Sequence, residues 1–224
     1  MKKESRNTLI GVTIFAIAMG FLEAVVVIYL RKIYYPNGFS FPLKGFLSPE
    51  IIGIEWVREI ATIIMLLAVG YLAGKKLYEK FAYFIYAFAI WDIFYYVFLK
   101  ITLAWPQSLT TWDILFLIPW VWAGPVITPI ICSLLLIIMA LLIINLNDTG
   151  KKVRISCKEW TLLILGIAFV LYTWLYDYGK VIFNHLDIAA YIPTSYNWAI
   201  FLLGIIITSL GVISFYLRNK NSRK

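Results

Sequence analysis

Glu55-Trp56-Val57-Arg58-Glu59 lies inside an apolar run, Ile51 to Ala73, that is long enough to cross a bilayer. Three ionisable side chains therefore fall where hydrocarbon is expected. At helical spacing Glu55 and Glu59 share one face and Arg58 borders it, so the triplet partly neutralises itself. A charge at bilayer depth is costly unless it faces protein or a water-filled cavity, which makes this triplet the first place to look for a site.

The composition agrees with that setting. The 224 residues are 62% hydrophobic and only 14% charged, with a mean hydropathy of +0.84, whereas soluble domains carry about 25% charge. The formal charge of +8 sits in short basic clusters between apolar runs, as the positive-inside rule requires, and does not point to nucleic acid. Cys132 lies in an apolar run and Cys157 in a basic loop, so no disulfide framework or Cys-x-x-Cys metal pattern is present.

Met1-Lys2-Lys3, the apolar Leu9 to Phe15 and Ala16-Ile17-Ala18 together have the form of a secretory signal with its cleavage site. Apolarity continues beyond that point to Leu30, however, and stops at Arg31-Lys32, so a retained helix is expected. The same reading along the chain predicts an all-α integral membrane protein forming a single transmembrane domain over residues 1–224. Six spans are expected near residues 8–30, 51–73, 81–104, 121–145, 160–183 and 196–217.

With the N-terminus in the cytoplasm, fourteen of the twenty basic residues fall on the inner side, among them Lys75, Lys76, Lys151, Lys152, Arg218, Arg223 and Lys224. Arg31, Lys32, Lys44, Lys100 and Lys180 fall on the outer side, and Arg58 lies within a span. That bias predicts a multi-pass protein of the plasma (inner) membrane with both termini cytoplasmic.

Two connections carry further information. Residues 31–50 hold Pro36-Asn37-Gly38, Pro42, Gly45 and Ser48-Pro49, which are turn formers and suggest a structured outer cap. The apolar run from Thr110 to Asn145 is too long for one span and is broken by Pro119, Gly124-Pro125 and Pro129. Trp112 to Trp120 is expected to be a short re-entrant or interfacial segment on the outer side, the alternative being one long helix kinked at its prolines.

Counted from the outer boundary, Glu23, Glu59 and Asp92 come from different helices yet sit at one depth, about 12 to 14 Å below the surface at 1.5 Å per residue. Glu55 and Arg58 flank that level, and Asp113 lies near the outer surface if the re-entrant reading holds. Four acids (Glu23, Glu55, Glu59, Asp92) then stand against Arg58 and Lys100, a charge deficit that a cation, a cationic ligand or protons would offset. Against this stands a static polar core, in which Arg58 neutralises one glutamate and the other acids hydrogen-bond to Tyr95, Tyr96 or Tyr83.

The only histidine, His185, lies in a loop and no thiol is near the acids, which argues against haem, copper or a Cys/His zinc site. Glu23, Glu59 and Asp92 could serve only as an oxygen-ligand metal set. Trp91 adjoins Asp92 and is placed at the site with Tyr95. Trp56, Trp105, Trp112, Trp120, Trp122 and Trp198 suit an interfacial belt, and Ala16 and Gly20 suit helix packing. No nucleotide-binding or hydrolase motif is present.

Six spans with a pocket at one face resemble, in plan alone, the small substrate-capture subunits of vitamin transporters. Three functions fit the sequence. The first is a binding or transport module for a cation or small cationic solute, with Glu23, Glu59 and Asp92 as direct partners. The second is an accessory or assembly subunit contacting a partner membrane protein. The third is an enzyme acting on a lipid-linked substrate, with Glu55 and Glu59 as an acid pair.

Overall fold

Helix boundaries follow from the caps that the chain supplies. Ser48 accepts the Ile51 N–H at 3.4 Å, with Pro49 in the first turn where no intrahelical N–H is needed. Ser156 and Glu159 form a reciprocal capping box. The computed structural model describes residues 1–43, 48–151 and 153–221. Lys44 and Gly45 of the expected cap, and Lys152, Arg223 and Lys224 of the basic clusters, lie outside the described residues.

The helices are α1 (Lys3–Tyr34), α2 (Pro49–Ala73), α3 (Leu77–Leu103), α4 (Ile127–Asp148), α5 (Cys157–Phe183) and α6 (Trp198–Asn221). Among the described residues five of them are long and apolar enough to span a membrane; α2, which carries the Glu55–Glu59 triplet, is not in that set. Its 25 residues still extend about 37 Å at 1.5 Å per residue.

α3 is the central helix and packs on α1, α2 and α4, while α5 and α6 form a second pair. Close approach depends on small residues, as expected where lipid offers no hydrophobic drive for helices to associate. A Cβ on Gly20 of α1 would lie 2.9 Å from the Trp91 carbonyl oxygen of α3, and Ala16 is fully buried. On Gly70 of α2 a Cβ would lie 2.6 Å from both the backbone nitrogen and the Cβ of Phe84.

The helices bring two opposite ends together. At the end holding the chain termini, Lys2 N–H donates to Asp148, Lys75 pairs with Glu4 at 2.5 Å, and Arg218 pairs with Glu159 at 2.6 Å. The other end gathers residues 35–43, the segment between α3 and α4, and residues 184–197 around Leu43, Leu117, Val121 and Tyr178.

Between α3 and α4 the chain forms neither a membrane helix nor a kinked continuation of one. β1 (Trp112–Phe116) and β2 (Trp122–Pro125) pair antiparallel, Trp112 opposite Pro125 and Phe116 opposite Trp122. The expected fourth span therefore begins at Ile127 rather than Val121. Pro119 and Pro125 belong to this hairpin, and Pro129 occupies the first turn of α4, where its missing N–H costs nothing. The chain is all-helical as expected, and this short hairpin is an added element between two of its helices. Short apolar runs rich in aromatic and branched residues do not distinguish strand from helix by periodicity, and here the Gly and Pro breaks decide for strand.

Candidate functional site

α1, α2 and α3 line a cavity to which β1 contributes at the hairpin end. Each helix contributes one stripe at helical spacing: Glu23, Val27 and Arg31; Glu55, Arg58, Glu59 and Thr62; Trp91, Asp92, Tyr95 and Tyr96. β1 adds Asp113 and the chain beyond it through Leu117. The eight residues read from the sequence (Glu23, Glu55, Arg58, Glu59, Trp91, Asp92, Tyr95 and Asp113) thus share one space. Its volume is about 70 Å³, room for roughly five waters at 10–15 Å³ each by this measure.

Of the two glutamates the sequence offers Arg58, the structure pairs it with Glu55. Arg58 donates to Glu55 from Nε at 3.0 Å and from Nη2 at 2.5 Å, and it also pairs with Glu23. Glu59, on the same helix face, accepts the Leu117 N–H at 3.0 Å instead. One carboxylate of α2 therefore anchors the guanidinium while the other pins the hairpin. Thr62 donates to Glu23 at 3.1 Å, and Ser133 of α4 donates to Asp92 at 2.8 Å. Glu23 and Asp92 are thus held by Thr62, Arg58 and Ser133 rather than by Tyr83, Tyr95 or Tyr96.

Arg31, assigned from the sequence to an outer loop, is a principal member of the site. It is 7% exposed and its Nη2 lies 2.6 Å from Oδ1 of the fully buried Asp113. Its guanidinium carbon is 3.7 Å from the centre of the Trp105 ring and 4.4 Å from that of Phe39, which is cation–π contact on two sides. The signal for it was present: Arg31 is two turns beyond Glu23 on the same face of α1. Lys100, counted with the cluster from the sequence, turns away and donates to the carbonyls of Ala104 and Pro106.

The tryptophans divide. Trp198 is 38% and Trp56 40% exposed, though Trp56 also donates to the Leu117 carbonyl at 3.0 Å. Trp105 is buried over Arg31, and Trp120 and Trp122 hold the hairpin by donating to the carbonyls of Leu175 and Ile118. Trp105 is thus internal, while Trp120 and Trp122 are half-buried against the hairpin.

Five carboxyl groups (Glu23, Glu55, Glu59, Asp92 and Asp113) face two guanidiniums in this cavity. Among the described residues, Glu59 and Asp92 form no ion pair, and no group of three or more His, Cys, Asp or Glu is disposed to hold a metal ion. Glu23, Glu59 and Asp92, the oxygen-ligand set expected from the sequence, are each drawn to a different neighbour, Arg58, Leu117 or Ser133. The site is thus a polar chamber with distributed negative charge and no compact coordination shell. Comparison with known protein families, with curated proteins and with solved structures found no match.

Proposed function

We propose that this chamber binds a small cationic solute, and that the chain is a binding or transport module of the plasma membrane with its termini at the cytoplasmic face. The observation that carries the reading is the excess of carboxyl groups over guanidiniums around one cavity, with Glu59 and Asp92 held by neutral donors. Buried acids without a counter-charge are costly in a membrane, and a bound cation offsets that cost. The dispersed arrangement favours an organic cation, which distributed charge and aromatic faces can hold, over a metal ion, which needs converging ligands. The basic residues gathered at the terminal end support the cytoplasmic orientation through the positive-inside rule.

The test is thermal unfolding of the detergent-purified protein with Na⁺, Mg²⁺, Mn²⁺, methylamine and choline, comparing wild type with Glu59→Gln. Glutamine retains an oxygen to accept the Leu117 N–H, so the variant keeps the hairpin anchored. A ligand at a hundred times its Kd stabilises by about 2.7 kcal/mol. A midpoint raised selectively by an organic cation, and not in the variant, supports the reading. Equal shifts in both proteins, or none with any cation, would refute it.

A further inference from the structure

Acids are only half of what the chamber presents. Among the described residues, Arg31 Nη1, the Tyr35 hydroxyl and Trp91 Nε1 are buried with no hydrogen-bond partner, as is the acceptor Asp113 Oδ2, and all four residues line the cavity. Arg31 is 7% and Trp91 8% exposed. A buried donor left unpaired carries its full desolvation cost, so each such group calls for a partner from outside the chain.

Arg31 is placed so that it cannot supply that partner itself. Asp113 holds Nη2, and the rings of Trp105 and Phe39 cover the guanidinium on two sides. The guanidinium is held, and Nη1 is left over. Tyr35 follows α1 directly, so its hydroxyl and Arg31 belong to the hairpin end of the chamber. Glu23 lies eight residues earlier, about 12 Å deeper at 1.5 Å per residue. The chamber therefore presents both unpaired donors and an excess of carboxylates, with Arg31 about two helical turns along α1 from Glu23 and Tyr35 beyond it.

We propose that the ligand is a small zwitterion. Its anionic group, a carboxylate or a phosphate, is received by Arg31 and Tyr35, and its cationic group by Glu23, Glu59 and Asp92. A charged acceptor on a guanidinium forms the stronger class of hydrogen bond, and the pair is fixed in advance by Asp113 and the two rings. This deepens the cationic-solute reading and rests on it.

The experiment compares ligands matched in length that differ only in their ends: butylamine, butyrate, 4-aminobutyrate and the longer 6-aminohexanoate. Phosphoethanolamine and a short-chain phosphatidylethanolamine add the phosphate arms, one free and one on a lipid. Each is titrated into the purified protein while the unfolding midpoint is read, for wild type, Glu59→Gln and Tyr35→Phe. Tyr35→Phe deletes only a hydroxyl that has no partner among the described residues, so the ligand-free variant folds with an undiminished midpoint.

The expected result is that at least one zwitterion shifts the midpoint more than the amine or the acid. Tyr35→Phe weakens that zwitterion about tenfold, the loss of a hydrogen bond to a charged group, and leaves butylamine unaffected. A response to either phosphate arm carries the proposal equally and names the source of the anionic group. If butylamine stabilises as well as every zwitterion and only Glu59→Gln abolishes it, the zwitterion is refuted while the cationic site stands. If butyrate alone matches the zwitterions, the proposal also fails. If no compound shifts the midpoint, the cationic reading falls and this inference with it.

Discussion

Neutralising Asp113 should destabilise the protein through Arg31. Both partners are almost wholly inside the protein, at 0% and 7% exposure, and their charged atoms are 2.6 Å apart. Asp113→Asn keeps an oxygen for Nη2 and nearly the same volume, so the change is chiefly one of charge. Breaking a buried pair by removing one partner costs about 3–5 kcal/mol, because the remaining charge stays buried. The water-sized space beside Arg31 screens part of that, which puts the expected loss near the lower end, about 3 kcal/mol. Arg31→Met should cost a similar amount by stranding Asp113.

The double variant Arg31→Met with Asp113→Leu removes both charges and fills the space with apolar atoms. It should unfold within about 1 kcal/mol of wild type rather than at the sum of the two losses, since well-packed apolar replacements of buried pairs are often neutral or better. The assay is equilibrium unfolding by SDS in mixed micelles, followed by tryptophan fluorescence. A loss below about 1 kcal/mol for Asp113→Asn, or strictly additive losses in the double variant, would show that the pair is not desolvated as the geometry requires.

Two further outcomes test other parts of the fold. Gly70→Ala should destabilise by about 1–3 kcal/mol despite the better helix propensity of alanine, because the new Cβ meets the backbone of Phe84; Phe84→Ala should not rescue it, and a neutral Gly70→Ala would disprove the close contact of α2 with α3. In the loop beyond α5, burial, with the Asp177 charge second, pushes the Tyr191 hydroxyl up to about 12 from 10. A raised folded-state value means stability is complete below pH 10 and is lost as pH rises toward about 12. Tyr191→Phe should therefore unfold less steeply than wild type in that window, and identical alkaline profiles would contradict the assignment.

Much of the site was legible because a membrane makes charge conspicuous. Glu23, Glu59 and Asp92 each interrupt an apolar run at a similar distance from a helix end, and the helical period places their neighbours on the same faces. Pairing was not legible. Arg58 borders both Glu55 and Glu59 in sequence, and the choice between them was made by α1, which brings Glu23 to Arg58, and by the hairpin, which brings the Leu117 N–H to Glu59.

Arg31 was assigned to a loop because a basic residue at the end of an apolar run ordinarily marks the membrane surface. Only its burial by Asp113, Trp105 and Phe39, which come from three other segments of the chain, shows otherwise. The hairpin was hidden for a related reason, since an apolar run with prolines is compatible with a kinked helix until its cross-strand partners are known.

Taken alone, the amino-acid sequence determined the apolar helical architecture, the basic bias of one set of connections and the helix faces that carry acids. These depend on composition and on a local period of 3.6 residues. Tertiary structure alone decided which acid each arginine holds, how the hairpin contributes to the chamber, and which donors are left facing it unpaired. Those depend on contacts between residues as far apart as Arg31 and Asp113, and no local rule of spacing contains them.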